Sequence, residues 1–256
     1  MNVIGLQYDI AWENKPANFN TVHRLIAANR PPSGSLVVLP EMFATGFSMN
    51  AEAIAEDYNG ETEQFLSRTA KEFGIGLIAG VAVRSGDGRA RNKALMFSPD
   101  GSLLAYYAKI KPFRPGGEAE HYTAGERITV FDFADCRVAP FICYDLRFPE
   151  LFRQAAALER PELFIVIASW PEKRIHHWRR LAQARAIENQ AYVIAVNRVG
   201  TDPFYTYNGN SIIVDPQGDI IADAGEKEGS VQAALDLTML NKYREGLPFL
   251  DDLKLL

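Results

Sequence analysis

A chain of 256 residues with 47% hydrophobic and 23% charged content carries enough apolar material for a packed core and has no compositional signature of disorder. Its formal net charge of −5 offers no basic stripe to neutralise phosphates, so nucleic acid is not an expected partner. The opening segment MNVIGLQYDIAW lacks a basic leader region, and nowhere do 18 consecutive apolar residues occur, which points to a soluble, cytoplasmic protein without membrane contact.

In chain order, the apolar runs 2–8 and 35–40 read as strands, separated by a helical spacing of apolar residues over 18–28. A second helical pattern, 62–73, leads into GLIAGVAVRSGDGRARNKALMFSPDGSLLAYYA, which reads as three strands, among them 76–83 and 103–108, joined by hairpin turns at SGDGR and PDG. The segment after Lys111, KPFRPGGEAEHYTAGER, is long and rich in Gly, Pro and charge, as in a loop that covers something. Strands follow at 137–143, 163–169, 191–197 and 211–215, with helices at 149–158 and 175–189. Several strands are apolar on both faces, as expected when helices cover one side of a mixed sheet and a second sheet covers the other. The expected fold is an α/β layered sandwich. No linker, repeat or composition shift divides the chain, so one domain over 1–256 is expected. The tail, about 240–256, ends in LPFLDDLKLL, whose leucines mark it as a subunit contact.

Three reactive side chains follow strands in equivalent places: Glu41 after SLVVLP, Lys109 after SLLAYYA, and Cys143 at the end of RVAPFIC. Ligands bind at the carboxyl ends of strands in α/β folds, so separate strands would deliver all three to one rim. Each also has a plainer reading: Glu41 as a surface-loop glutamate, and one of Lys109 and Lys111 as a solvated side chain. A cysteine closing an apolar strand is commonly an inert small hydrophobe. Cys143, however, precedes YDLRFPE, whose Pro149 and Glu150 open a helix; at a strand-to-helix turn, nearby N–H groups and the helix dipole favour a thiolate. Glu41 lies between Pro40 and the apolar pair Met42–Phe43, and a carboxylate in apolar surroundings is suited to act as a general base. Lys109 and Lys111 would face opposite sides if the strand continued. The other cysteine, Cys136, begins the same run, and at roughly 3.3 Å per residue its thiol lies about 23 Å away, beyond disulfide reach. The four histidines bring no HExxH, CxxC or carboxylate cluster, and no GxxxxGK or GxSxG occurs, so neither metal nor nucleotide is indicated.

The motifs LPEMF, YAKIKPF and ICYDLRFPE, in that order, closely resemble the nitrilase superfamily of carbon-nitrogen hydrolases. The likeness continues through SWPEKRIHHWRRLAQARAIENQAYVIAVNRVG and GNSIIVDPQGDII, so it spans nearly the whole chain, and the pattern looks most like the ω-amidase branch. The resemblance implies an α-β-β-α sandwich. It carries over Glu41 as general base, Lys109 as oxyanion stabiliser, Cys143 as nucleophile, and Glu118, with Glu120 close by, as a second glutamate that holds the lysine. It implies no cofactor and no metal. The backbone N–H of Tyr144 would assist Lys109, Arg147 would grip the acidic end of the substrate, and Phe43 and Trp170 would wall the pocket, the alternative for these two aromatics being plain core packing near a strand end. For Arg147 the alternative is a partnership with Asp145 or Glu150. Trp178, Leu181, Ala182, Arg185 and Ile187 are expected to pack. Lys111 departs from the histidine that many members carry two residues after the lysine. The substrate implied is the ω-amide of a small dicarboxylic acid monoamide such as α-ketoglutaramate, cleaved through a thioester. The alternatives are a nitrile, an N-carbamoyl amino acid or an aliphatic amide, or a binding module without turnover. The resembling family also implies a homodimer.

Overall fold

The structure, a computed structural model, describes residues 1–253. Its first half runs β1 (Asn2–Gln7), α1 (Lys15–Asn29), β2 (Leu36–Val38), α2 (Ala51–Ile54), α3 (Glu61–Phe73), β3 (Gly76–Arg84), β4 (Ala90–Phe97) and β5 (Leu103–Ala108). A short helix, α4 (Glu118–His121), leads to β6 (Phe131–Phe133), β7 (Cys136–Ile142), α5 (Pro149–Glu159), β8 (Leu163–Ile167), α6 (Ile175–Asn189) and β9 (Tyr192–Val196). The remainder comprises a small hairpin, β10 (Val199–Thr201) and β11 (Thr206–Asn208), then β12 (Ile212–Val214), β13 (Ile220–Asp223), β14 (Gly229–Ala234) and α7 (Leu237–Gly246).

Two six-stranded sheets result, ordered β14-β1-β2-β3-β4-β5 and β13-β12-β9-β8-β7-β6. Each has three parallel strands at its centre, β1-β2-β3 and β7-β8-β9, extended at both ends by antiparallel ones. The sheets pack face to face. Val3, Val38, Ile78 and Met96 of one share a core with Val138, Ile165, Ile194 and Ile213 of the other. On the outer face of the first sheet, Val22 and Ile26 of α1 and Leu66 of α3 pack on Leu6, Val37 and Leu77. On the outer face of the second lie Phe152 of α5 and Trp178 of α6. The expected α-β-β-α sandwich is therefore present.

Local chemistry explains the helix boundaries. The Asn14 side chain accepts the Ala17 N–H to open α1 behind Pro16, and Pro149 opens α5 where its missing N–H costs nothing. Elements absent from the sequence-based expectation include α2, β6, β10 and β11 as well as four others. The loop after Lys111 contains α4; β13 and β14 are edge strands with few buried residues; and the start of the tail is α7, capped by Asp236, whose Leu240 is fully buried. Within the tail Leu250 packs into its own chain, while Leu247 and Phe249 are about half exposed. Residues 254–256 of the expected interface segment lie outside the described residues. Ile187 is exposed rather than packed, whereas Trp178, Ala182 and Arg185 are buried and Leu181 packs at the core's edge.

Candidate active site

The rim at the carboxyl ends of β2, β5 and β7 brings Glu41, Lys109 and Cys143 together. Lys109 Nζ donates to Glu41 Oε1 at 2.8 Å and to Glu118 Oε2 at 2.7 Å, and all three side chains are buried. Burial opposes the lysine's charge, but the carboxylates of Glu118 and Glu41 outweigh it and hold the ammonium above its ordinary value. Glu118 opens α4 and turns inward, while Glu120 is exposed; the geometry therefore assigns the lysine contact to Glu118. Glu118 Oε2 also accepts the Phe113 N–H at 2.5 Å.

Two buried carboxylates and one ammonium leave a net negative charge, which needs further donors. Asn92 supplies them from β4: its Nδ2 donates to Glu41 Oε1 at 2.7 Å and to Glu118 Oε1 at 2.9 Å. The Ser169 N–H, just past β8, donates to Glu41 Oε2 at 2.8 Å. Neither residue was singled out from the sequence. The available signal for Asn92 was its place in register with the inward-facing Ala94 and Met96 of β4.

The Glu41 segment can come this close because β3 has no side chain at residue 80. A Cβ on Gly80 would lie 2.5 Å from Met42 N and 2.6 Å from Glu41 Cα. Met42 itself has φ +46°, so the chain turns between Glu41 and Phe43. Glu41 consequently faces the rim, and Phe43 goes to the opposite side, among Phe19 and Phe65 against the helices. The expectation that Phe43 walls the pocket is corrected; Phe47 takes that place.

Cys143 sits at φ +49°, a left-handed conformation that costs a side-chain-bearing residue about 1–3 kcal/mol and is typical of nucleophile elbows. The expected strand-to-helix turn is a 3-10 turn, Cys143–Arg147, with α5 starting only at Pro149. Burial, reinforced by Glu41, pushes the thiol well above its ordinary value while Lys109 pulls it down. Burial thus opposes the thiolate that the strand-to-helix turn was expected to favour. Cys136 is likewise a free, buried thiol, pushed up to about 12 by burial.

Cys143 opens onto a narrow cleft lined among others by Phe47, Phe113, Tyr144, Arg147, Trp170 and Arg174. The Arg147 guanidinium lies over the Trp170 ring at 4.6 Å, and its hydrogen bond goes to His177 Nδ1 at 3.3 Å. Neither Asp145 nor Glu150 is its partner: Asp145 is buried against Tyr107, and Glu150 lies 3.8 Å from Lys111. Because β5 ends at Ala108, Lys111 leaves the strand altogether and stacks over Phe148 at 4.8 Å.

A family model described as carbon-nitrogen hydrolase matches residues 3–245. The Omega-amidase YafV of Yersinia enterocolitica is 39% identical over 251 residues, covering 96% of this chain and 94% of that protein. The 2-oxoglutaramate amidase of Bacillus subtilis is 34% identical over 251 residues, covering 97% of this chain and 96% of that one. Among solved structures, a CN-hydrolase superfamily protein from Xanthomonas campestris, with an arsenic adduct in its active site, superposes with a TM-score of 0.94 at 33% identity, covering 100% of this chain and 98% of the other.

Proposed function

The chain belongs to the carbon-nitrogen hydrolase family, and we propose that it removes the ω-amide of short dicarboxylic acid monoamides such as α-ketoglutaramate, releasing the acid and ammonia. In this reading Glu41 takes the proton of the Cys143 thiol as sulfur attacks the amide carbon. The tetrahedral oxyanion forms against Lys109 Nζ and the Tyr144 N–H, and losing one such donor typically costs about 3–4 kcal/mol. The C–N bond breaks as Glu41 returns the proton to the departing ammonia. Glu41 then takes a proton from water, whose oxygen attacks the thioester, and passes that proton to the departing Cys143 sulfur, which frees the acid and restores the thiol and the Glu41 carboxylate. Glu118 holds Lys109 between two carboxylates, so the ammonium stays in place when Glu41 is protonated.

The observation that carries the substrate class is Arg147. Its guanidinium lies over the Trp170 ring in the cleft that Cys143 lines, and among the described residues no carboxylate lies within ion-pair distance of it. A fork of parallel N–H donors suits the far carboxylate of such a substrate. The names of the two amidase relatives support the same class. The test is kcat/KM on succinamate and on a neutral amide of equal length. The parent should prefer the anion, Arg147→Ala should remove that preference, and Arg147→Lys should restore little of it. Equal losses on both substrates would make Arg147 structural, and a parent faster on neutral amides or nitriles would remove the ω-amide assignment.

The same reading includes a single domain acting as a homodimer in the cytoplasm. The half-exposed Leu247 and Phe249 support a subunit contact at the tail, and the two free thiols suit a reducing compartment.

A further inference from the structure

Asp145 is fully buried two residues past Cys143, and the chemistry above does not use it. Its Oδ2 accepts the Ile142 N–H at 3.0 Å and the Tyr107 hydroxyl at 2.9 Å, and its Oδ1 accepts the Lys111 N–H at 2.9 Å. The Tyr107 oxygen in turn accepts the Ile110 N–H at 3.4 Å. These partners bracket two residues of the site. Ile142 immediately precedes Cys143, while Tyr107 on one side and Ile110 and Lys111 on the other enclose Lys109. The two segments come from different sheets, β5 in one and β7 in the other. Apolar contact alone, such as Tyr107 edge-on to Phe141 at 5.5 Å, would hold the sheets together without fixing their register along the rim. A buried carboxylate is costly unless its oxygens are satisfied, and satisfied ones fix direction as well as distance.

We propose that Asp145 is a positioning residue: its carboxylate ties the turn carrying Cys143 to the loop carrying Lys109, so that the ammonium meets the oxyanion formed at the attacked carbon. The inference rests on the reading of Cys143 as nucleophile.

Protonation is the handle on this tie. Burial pushes the Asp145 carboxyl up to about 7, against the pull of Lys109 and of its hydrogen-bond donors. The titratable groups that face it are Tyr107 from β5 and Lys109 from the loop beyond; Cys143 stands in its own turn. When pH falls through about 7 the carboxyl takes up a proton, one oxygen stops accepting, and turnover drops. The stability contribution has the opposite sign. A raised carboxyl value favours the folded state at low pH, so this group's contribution is fully present below about pH 4 and is lost as pH rises through about 7. Turnover lost on the acid side therefore does not reflect unfolding through Asp145.

The experiment is kcat and KM against pH for the parent, Asp145→Asn, Tyr107→Phe and Cys143→Ala, with circular dichroism on each. Asp145→Asn should lose about tenfold to hundredfold in kcat, change KM by no more than about twofold, and lack the acid limb near neutrality. Should Asp145→Asn fail to fold, Tyr107→Phe carries the test: removing a donor to the charged carboxylate should lower kcat and move the acid limb to higher pH. A parental kcat and pH profile in whichever variant folds would overturn the proposal, as would a rise in KM with kcat intact. Turnover by Cys143→Ala would instead bring down the nucleophile reading itself.

Discussion

Glu118→Ala removes one of the two carboxylates around Lys109 and leaves the other in place. The lost contacts are the Lys109 Nζ bond at 2.7 Å, the Asn92 bond at 2.9 Å and the Phe113 N–H bond at 2.5 Å, all in a buried setting. Lys109 keeps Glu41 at 2.8 Å, so no buried charge is left unpaired, and the loss is that of a charge-assisted hydrogen bond in a dry setting, about 3 kcal/mol at most. The stranded Phe113 N–H adds about 1 kcal/mol. A total of up to about 4 kcal/mol corresponds to a fall in Tm of roughly 8–16 °C for a chain of this size. Catalysis should suffer separately, because the ammonium is drawn onto Glu41 and away from the oxyanion. A loss of about 10²–10³-fold in kcat is expected, the size seen when an oxyanion donor is misplaced. Glu118→Gln keeps the shape, and its one carbonyl oxygen can accept from both Lys109 and the Phe113 N–H, but its NH2 group then faces the Asn92 Nδ2 donor and the negative charge is lost, so it should repair only part of the rate. Calorimetry and ammonia release measure the two effects. A Glu118→Ala protein with parental Tm and kcat would refute the role given to Glu118 and the accounting of charge in the site.

Alkylation by iodoacetamide should label Cys143 much faster than Cys136 and abolish activity in parallel, since Cys143 opens onto the cleft and Cys136 is sealed at the far end of β7; equal labelling would contradict this. Gly80→Ala should cost about 1–3 kcal/mol of stability and most of the turnover, because the added methyl drives into the backbone at Glu41 and Met42; a parental rate would show that the Glu41 segment can shift freely. Light scattering at micromolar concentration should give the mass of a dimer, and a monomer would remove the interface assigned to the tail.

The rim was legible in the sequence for a physical reason. Glu41, Lys109 and Cys143 each follow an uninterrupted apolar strand, and strand ends are where a layered sheet fold exposes side chains to a ligand. What stayed hidden depends on local backbone geometry or on register between distant strands. Glu118 and Glu120 share the run EAEH, and only the inward turn at Gly117, with φ +77°, separates them. Phe43 falls on the side opposite Glu41 because the left-handed Met42 turns the chain between them, a backbone feature that the residue types alone do not reveal. Asn92 is not singled out by the sequence because its contact with the two glutamates depends on the register of β4 against β3, which the residue types alone do not fix. Asp145 sits in an exposed-looking CYDLR and is among the most buried acids of the chain. The edge strands β13 and β14 bury too few side chains to carry an apolar signal.

The central claim is that an acyl group passes through Cys143. Rapid quenching during turnover of an ω-amide, followed by mass spectrometry of the intact protein and its peptides, tests it directly. The predicted result is an adduct equal to the substrate less ammonia, located on the peptide containing Cys143 and absent from Cys143→Ala, which also releases no ammonia. An adduct on another residue, or ammonia release by Cys143→Ala at the parental rate, would contradict the account.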